Sequence, residues 1–93
     1  MSKIVKKIVS IQNRKGLHAR ASAQMVNLAE SFQAMTYVCY QDMRVPAGSI
    51  MGLLMLGVGQ GAQILIEGEG VDADKAVSSL VSLIENKFGE EQW

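Results

Sequence analysis

The sequence predicts an α+β protein of two layers, an open-faced β-sandwich in which a four-stranded antiparallel sheet carries three helices on one face. Segments rich in β-branched residues alternate with segments whose apolar residues recur every three or four positions, in the order β-α-β-β-α-β-α. The chain has 93 residues, of which 48% are hydrophobic, and this is enough for one core. We therefore expect a single domain over residues 1–93.

The predicted strands are short segments with the composition of half-buried β structure. They cover residues 3–11, 34–40, 43–46 and 62–67. In the first strand, Val5, Val9 and Ile11 share one face. In the second, both faces are equally apolar, which predicts a semi-exposed apolar patch on the helix-free side of the sheet. Such a patch indicates either self-association or, more commonly, scattered surface apolar residues. A turn is expected at residues 68–70, after the last strand.

The predicted helices have apolar residues on one face at helical spacing. They cover residues 19–30, 50–56 and 72–87. The stripes of the first and third helices are Ser22, Met25, Val26 and Ala29, and Val77, Leu80, Val81 and Ile84. Ser49 and Asp72 are side chains of the type that caps helix N-termini, and Gly89 is expected to end the third helix.

The composition narrows the classes of function. Nine basic residues balance nine acidic ones, which argues against nucleic acid as the main partner. Basic residues cluster before residue 21, as suits either an anionic group or an ordinary solvated face. The lone Cys39 cannot form an internal disulfide, and no apolar run approaches the length that spans a bilayer. We expect a cytoplasmic protein without membrane insertion, with Trp93 frayed or docked on the surface.

His18 is the strongest candidate for chemistry. It follows a loop that contains Gly16 and stands where the first helix begins, so unpaired backbone N–H groups point towards its surroundings. A helix N-terminus favours anions, and Arg20 adds a cation two residues later. This combination suits a neutral imidazole that becomes phosphorylated. One histidine and one distant cysteine predict no metal site, and no cofactor is expected.

The helix that follows Ser49 is apolar almost all round. A helix in a single layer buries only one face, so some of its large side chains should lie exposed. The residues in question are Ile50, Met51, Leu54 and Met55, whereas Leu53 and Leu56 suit burial against the sheet. Exposed methionines are typical of adaptable partner surfaces.

Two segments carry a resemblance to a known family. Residues 16–23, Gly-Leu-His-Ala-Arg-Ala-Ser-Ala, resemble the active-site signature of the HPr family, the histidine-containing phosphocarriers of the bacterial phosphotransferase system. Residues 48–57, Gly-Ser-Ile-Met-Gly-Leu-Leu-Met-Leu-Gly, resemble the family's regulatory-serine region, at matching spacing. The resemblance covers essentially the whole chain.

The resemblance implies a mechanism and a set of partners. Enzyme I, charged from phosphoenolpyruvate, would phosphorylate His18 on Nδ1, and the phosphoryl group would pass to an Enzyme IIA-type domain. Arg20 matches the family's active-site arginine, and Ser49 matches the serine modified by an HPr kinase/phosphorylase. The family's apolar docking surface corresponds in this sequence to Ile50, Met51 and Leu54.

Two departures from the family pattern concern the phosphate site. Ala21 stands where the family usually has proline, and the alanine restores a backbone N–H that proline lacks. The amides of Ala19 and Ala21 are therefore candidates to donate hydrogen bonds to the phosphate. Lys15 replaces a smaller polar residue and is a further candidate. The Ala-Arg-Ala-Ser-Ala variant looks like the branch linked to nitrogen-type or regulatory systems.

Two other classes of function stay open at this point. In one, the chain is a regulatory module that docks on a partner after Ser49 is phosphorylated. In the other, it is a small unrelated enzyme with His18 as general base, although the neighbouring segments supply only Lys15, Arg20 and Ser22 as partners.

Overall fold

The computed structural model describes residues 3–90, and its elements follow the predicted order. The strands are β1 Ile4–Ser10, β2 Met35–Tyr40, β3 Met43–Pro46 and β4 Gln63–Glu69. The helices are α1 Ala19–Ala29, α2 Ile50–Met55 and α3 Ala73–Glu85, followed by a single 3-10 turn, Lys87–Gly89. The prediction for Trp93 lies outside the described residues.

All strand pairs are antiparallel, in the order β1-β4-β2-β3, so the predicted open-faced sandwich is confirmed. One face of the sheet packs against the helices through Val9, Val38 and Ile66. The opposite face has exposed apolar side chains, with Ile8 70% and Met35 59% exposed, so an apolar patch interrupted by charges is present there.

The helices bury the predicted stripes except at Val81, which is only half-buried. In α1, Ser22, Met25, Val26 and Ala29 are all buried, and in α3 the same holds for Val77, Leu80 and Ile84. Full burial of a Leu or Ile side chain stabilises the fold by about 1.5–3 kcal/mol. Tertiary packing of these faces, rather than helix propensity, therefore holds the helices on the sheet.

The predicted turn at residues 68–70 is wrong, because β4 continues to Glu69. Gly68 pairs with Val5 on one side and Thr36 on the other. A Cβ atom at Gly68 would lie 2.7 Å from Cγ2 of Val77. The glycine lets α3 pack closely on the sheet and does not mark a turn.

The capping role predicted for Asp72 is also wrong. Asp72 occupies the N-cap position of α3, but its side chain makes no capping hydrogen bond. Its carboxylate instead accepts hydrogen bonds from the backbone amides of Gln33, at 2.9 Å, and Ala34, at 2.7 Å. The carboxylate thus links the connection between α1 and β2 to the start of α3.

The third helix ends earlier than predicted. It stops at Glu85, because Lys87 and Phe88 adopt left-handed conformations with φ of 57° and 56°. This reversal turns the Phe88 side chain into the core, where it is 3% exposed. Gly89, predicted to end the helix, follows the reversal with φ of 74°.

Candidate functional site

The loop before α1 is held against the segment that follows α2. Gly16 has φ of 61°, and an added Cβ would lie 2.3 Å from the carbonyl oxygen of Val58. The amide of Leu17 donates a hydrogen bond to that same oxygen, at 3.1 Å, and the Leu17 side chain is buried. Backbone contacts therefore determine where the next residue, His18, can lie.

His18 occupies the N-cap position of α1, as predicted. Its backbone is extended, with φ of −75° and ψ of −179°, and its side chain caps no backbone amide. The first amide paired along the helix is that of Ser22, which donates to the His18 carbonyl at 2.9 Å. The earlier amides of α1 are therefore the unpaired donors characteristic of a helix N-terminus.

The predicted phosphate-binding residues differ in their accessibility. Ala19 and Arg20 are exposed, whereas Ala21 is fully buried, so the first two amides are the more accessible donors. Within residues 3–90, the side chain of Arg20 makes no hydrogen bond or ion pair, which leaves its guanidinium available to an anion. Lys15 is exposed in the loop before the histidine.

Sequence reasoning missed a carboxylate at the site. Nε2 of His18 is hydrogen-bonded to Oε2 of Glu90, at 2.5 Å, although the two residues are 72 positions apart. Oε1 of Glu90 accepts a hydrogen bond from Nδ2 of Asn13, at 3.1 Å. The same Nδ2 donates to the carbonyl of Gly16, at 2.9 Å. Asn13 thus joins the carboxylate to the histidine loop.

The environment of Glu90 keeps its carboxylate ionised. Burial raises the pKa of this carboxyl, but the hydrogen bonds from His18 and Asn13 outweigh burial, and the nearby Lys15 acts in the same direction. The net result is a pKa below the usual value of 4.5. At neutral pH the histidine therefore faces a negative charge.

The second predicted segment also has the expected geometry. Oγ of Ser49 accepts a hydrogen bond from the amide of Gly52, at 3.0 Å, so Ser49 caps α2. The exposed fractions confirm the predicted division of the helix: Ile50 42%, Met51 69%, Leu54 39% and Met55 66%, against Leu53 0% and Leu56 6%. This apolar surface belongs to a helix that contacts α1.

Other kinds of site find no support in the part of the chain that the structure describes. Residues 3–90 contain no group of three or more His, Cys, Asp or Glu side chains placed to hold a metal ion. Among the same residues, no helix is both long and apolar enough to cross a membrane.

Comparisons with known proteins show the class of protein to which this fold belongs, that of the small phosphocarriers. A family model described as "PTS HPr component phosphorylation site" matches residues 5–86. The phosphocarrier protein HPr of Cupriavidus necator is 42% identical over 81 residues, which is 87% of this chain and 91% of that protein. The phosphocarrier protein NPr of Shewanella violacea is 40% identical over 82 residues, which is 88% of this chain and 90% of that protein.

The solved structures agree with these relatives. The crystal structure of HPr-C-His from Thermoanaerobacter tengcongensis superposes with a TM-score of 0.91 and is 42% identical, covering 95% of this chain and 99% of that one. The chain belongs to the HPr family of phosphocarriers of the phosphotransferase system. Members of this family are carriers and not catalysts, so the alternative of an unrelated enzyme is set aside.

Proposed function

We propose that His18 accepts a phosphoryl group from Enzyme I, which is charged by phosphoenolpyruvate, and passes it to an Enzyme IIA-type protein in the cytoplasm. The whole chain acts as one carrier domain in this proposal. The observation that carries it is the position of His18, whose side chain is half-buried, at the N-cap of α1 directly before the unpaired first-turn amides. Such amides and the helix dipole attract a phosphoryl group.

Nδ1 is the nitrogen proposed to react. Nε2 of His18 is occupied by Glu90, so Nδ1 is the ring nitrogen that remains available. Its lone pair forms a bond to phosphorus while the bond between phosphorus and the donor residue of Enzyme I breaks, and the electron pair of that bond returns to the donor residue. Onward transfer reverses these roles towards the acceptor.

The phosphoryl oxygens are expected to lie among the first-turn donors and nearby cations. The amides of Ala19 and Arg20 are the more accessible donors, and that of Ala21 lies deeper. The guanidinium of Arg20 offers charge-assisted hydrogen bonds, and Lys15 adds a second positive charge. We propose that these groups stabilise the phosphorylated form without taking part in bond formation.

The exposed side of α2 is the proposed docking surface for both partners. Ile50, Met51 and Leu54 are apolar, exposed and set on the helix whose C-terminal continuation contacts the histidine loop through Val58 and Leu17. Burial of this surface would exclude water from the transfer step while the phosphorylated group of the donor meets the unphosphorylated group of the acceptor.

Ser49 is the proposed regulatory site, modified by an HPr kinase/phosphorylase. It stands directly before Ile50, so a phosphate there adds negative charge at the edge of the docking surface. The HPr and NPr relatives are nearly equally similar to this chain, so either a sugar-transport or a regulatory pathway fits these comparisons.

A transfer assay tests the proposed function. Radiolabelled phosphoenolpyruvate, Enzyme I, this protein and a IIA domain are mixed, and the labelled proteins are separated. We expect label on the IIA domain only when this protein is present. When His18→Ala replaces it, we expect no label on the variant or on the IIA domain. Circular dichroism of the variant checks that the fold survives. Label that reaches His18→Ala would contradict the assignment.

A further inference from the structure

We propose that Glu90 is a positioning residue: its carboxylate holds His18 in the tautomer with the proton on Nε2 and so makes Nδ1 the nucleophile. This inference deepens the proposed function and rests on it for the transfer step. The assignment of the tautomer itself rests only on the contacts of the imidazole.

The hydrogen bond between the two side chains determines the position of the ring proton. An ionised carboxylate only accepts hydrogen bonds, so the nitrogen it contacts must carry the hydrogen. The contact joins Oε2 of Glu90 to Nε2 of His18, at 2.5 Å. In a neutral imidazole the proton on Nε2 leaves the lone pair on Nδ1.

The carboxylate is itself held in place. Asn13 is fully buried, and its Nδ2 bridges the second oxygen of Glu90 and the carbonyl of Gly16. The side chains of His18 and Glu90 are only 25% and 19% exposed, so water competes weakly for this hydrogen bond.

The backbone that delivers Glu90 is strained. Lys87 and Phe88 both have left-handed φ values, which are unfavourable for residues other than glycine. Such conformations persist where packing imposes them and are frequent at functional sites. Here the buried Phe88 side chain anchors the reversal, and the amide of Glu90 donates to the carbonyl of Lys87, at 2.9 Å.

The same contact serves the product of transfer. When Nδ1 bonds to phosphorus, the ring keeps its Nε2 proton and gains a positive charge. The carboxylate of Glu90 faces that proton and balances the charge. Glu90 therefore favours both the nucleophilic tautomer and the phosphorylated ring, while no proton has to leave during the step.

Glu90→Gln is the most informative variant, because an amide has the same shape but both donates and accepts hydrogen bonds. Nitrogen NMR of the labelled, unphosphorylated protein at alkaline pH reads the two tautomers directly. We expect wild type to hold the Nε2–H tautomer and the variant to shift the ratio by about tenfold or more, the weight of one charge-assisted hydrogen bond. The rate of phosphorylation by Enzyme I should fall in step.

Glu85→Gln is the matched control, since it removes the same charge from an exposed position at the end of α3. It should change neither the tautomer ratio nor the rate. An unchanged ratio in Glu90→Gln, or an equal change in Glu85→Gln, would overturn the assignment. Failure of wild type to accept a phosphoryl group would overturn the proposed function instead, because the tautomer ratio is measured without any donor.

Discussion

Gly16 shows how a single residue controls the site. The chain must pass within contact distance of Val58 and Gly59 in a left-handed conformation, and only glycine does both without strain. Two residues later the chain reaches His18. The position of the imidazole therefore depends on a glycine two residues earlier in the chain.

Gly16→Ala should destabilise the protein and displace the histidine. The left-handed conformation alone costs alanine about 1–2 kcal/mol, and the clash with the Val58 carbonyl adds to it, so we expect a loss of about 2 kcal/mol or more. Urea unfolding measures the change. Gly59→Ala is the matched control, because its Cβ would meet no atom within 4 Å, and it should stay within about 0.5 kcal/mol of wild type. Equal effects of the two changes would contradict this account of Gly16.

At the level of single residues, the sequence predicted the position of the histidine but not its partner. His18 and Arg20 lie beside each other in one motif, and the helix start between them is a local feature. Glu90 reaches the site through a reversal at Lys87 and Phe88, two residues that rarely adopt left-handed conformations. No local pattern predicts such a contact across 72 positions. The one feature of the sequence that pointed to an acidic side chain after a chain reversal was Gly89, which lies directly before Glu90.

The element that combines stability and recognition is α2. It has six residues, and its buried side depends on Leu53 while its exposed side presents Met51 and Met55. Sequence periodicity alone could not separate these sides, because nearly every position is apolar. The separation followed from the two-layer architecture, in which a helix has only one covered face.

Ser49 has two separable roles in this element, as a cap and as a site of charge. Ser49→Ala should lower the free energy of unfolding by about 1 kcal/mol and leave phosphoryl transfer near the wild-type rate. Ser49→Asp should keep the cap, since aspartate is a good N-cap residue. It should slow transfer from Enzyme I, because the added charge would repel like charges of the partner or would lose its water at the docking surface. Chemical unfolding and rapid-quench transfer assays measure the two effects. A wild-type transfer rate in Ser49→Asp would remove the regulatory role.

At the scale of the whole molecule, charged side chains lie among the apolar ones on the helix-free face of the sheet and keep that face compatible with water. Glu67 lies between two cations, with Nε of Arg44 at 2.9 Å and Nζ of Lys6 at 3.8 Å. The guanidinium of Arg44 also stacks 3.7 Å from the centroid of Tyr37.

The overall architecture was predictable because apolar residues alternate in the strands and recur at helical spacing in the helices along the whole chain. An error in the bounds of one element therefore does not change the order of the elements. The errors concern contacts between distant segments. The turn predicted at Gly68 and the cap predicted for Asp72 were both wrong because tertiary packing used these residues differently. A glycine and an aspartate have several local uses, and only the packed structure selects one.

The carboxylate of Asp72 should contribute stability in a pH-dependent way. Hydrogen bonds from the amides of Gln33 and Ala34 hold its pKa below the usual value of 3.8. A lowered pKa means that this contribution is complete above that value and is lost as the pH falls through the pKa of the folded protein. Asp72→Ala should therefore lower the melting temperature at neutral pH, and the gap from wild type should close in acid.

Thermal unfolding at several pH values measures this gap, with Asp42→Ala as control. Asp42 is exposed in the turn between β2 and β3, so its removal should leave the melting temperature nearly unchanged. A gap for Asp72→Ala that persists unchanged at the lowest pH would show that the ionised carboxylate is not responsible.

Intact-mass spectrometry tests the central claim, phosphorylation of His18, most directly. The protein is incubated with phosphoenolpyruvate and Enzyme I and measured before and after a mild acid step. His18 is the only histidine in the chain, so we predict one added phosphate that acid removes and that His18→Ala never gains. No added phosphate on wild type, or an acid-stable phosphate that persists in His18→Ala, would contradict the account.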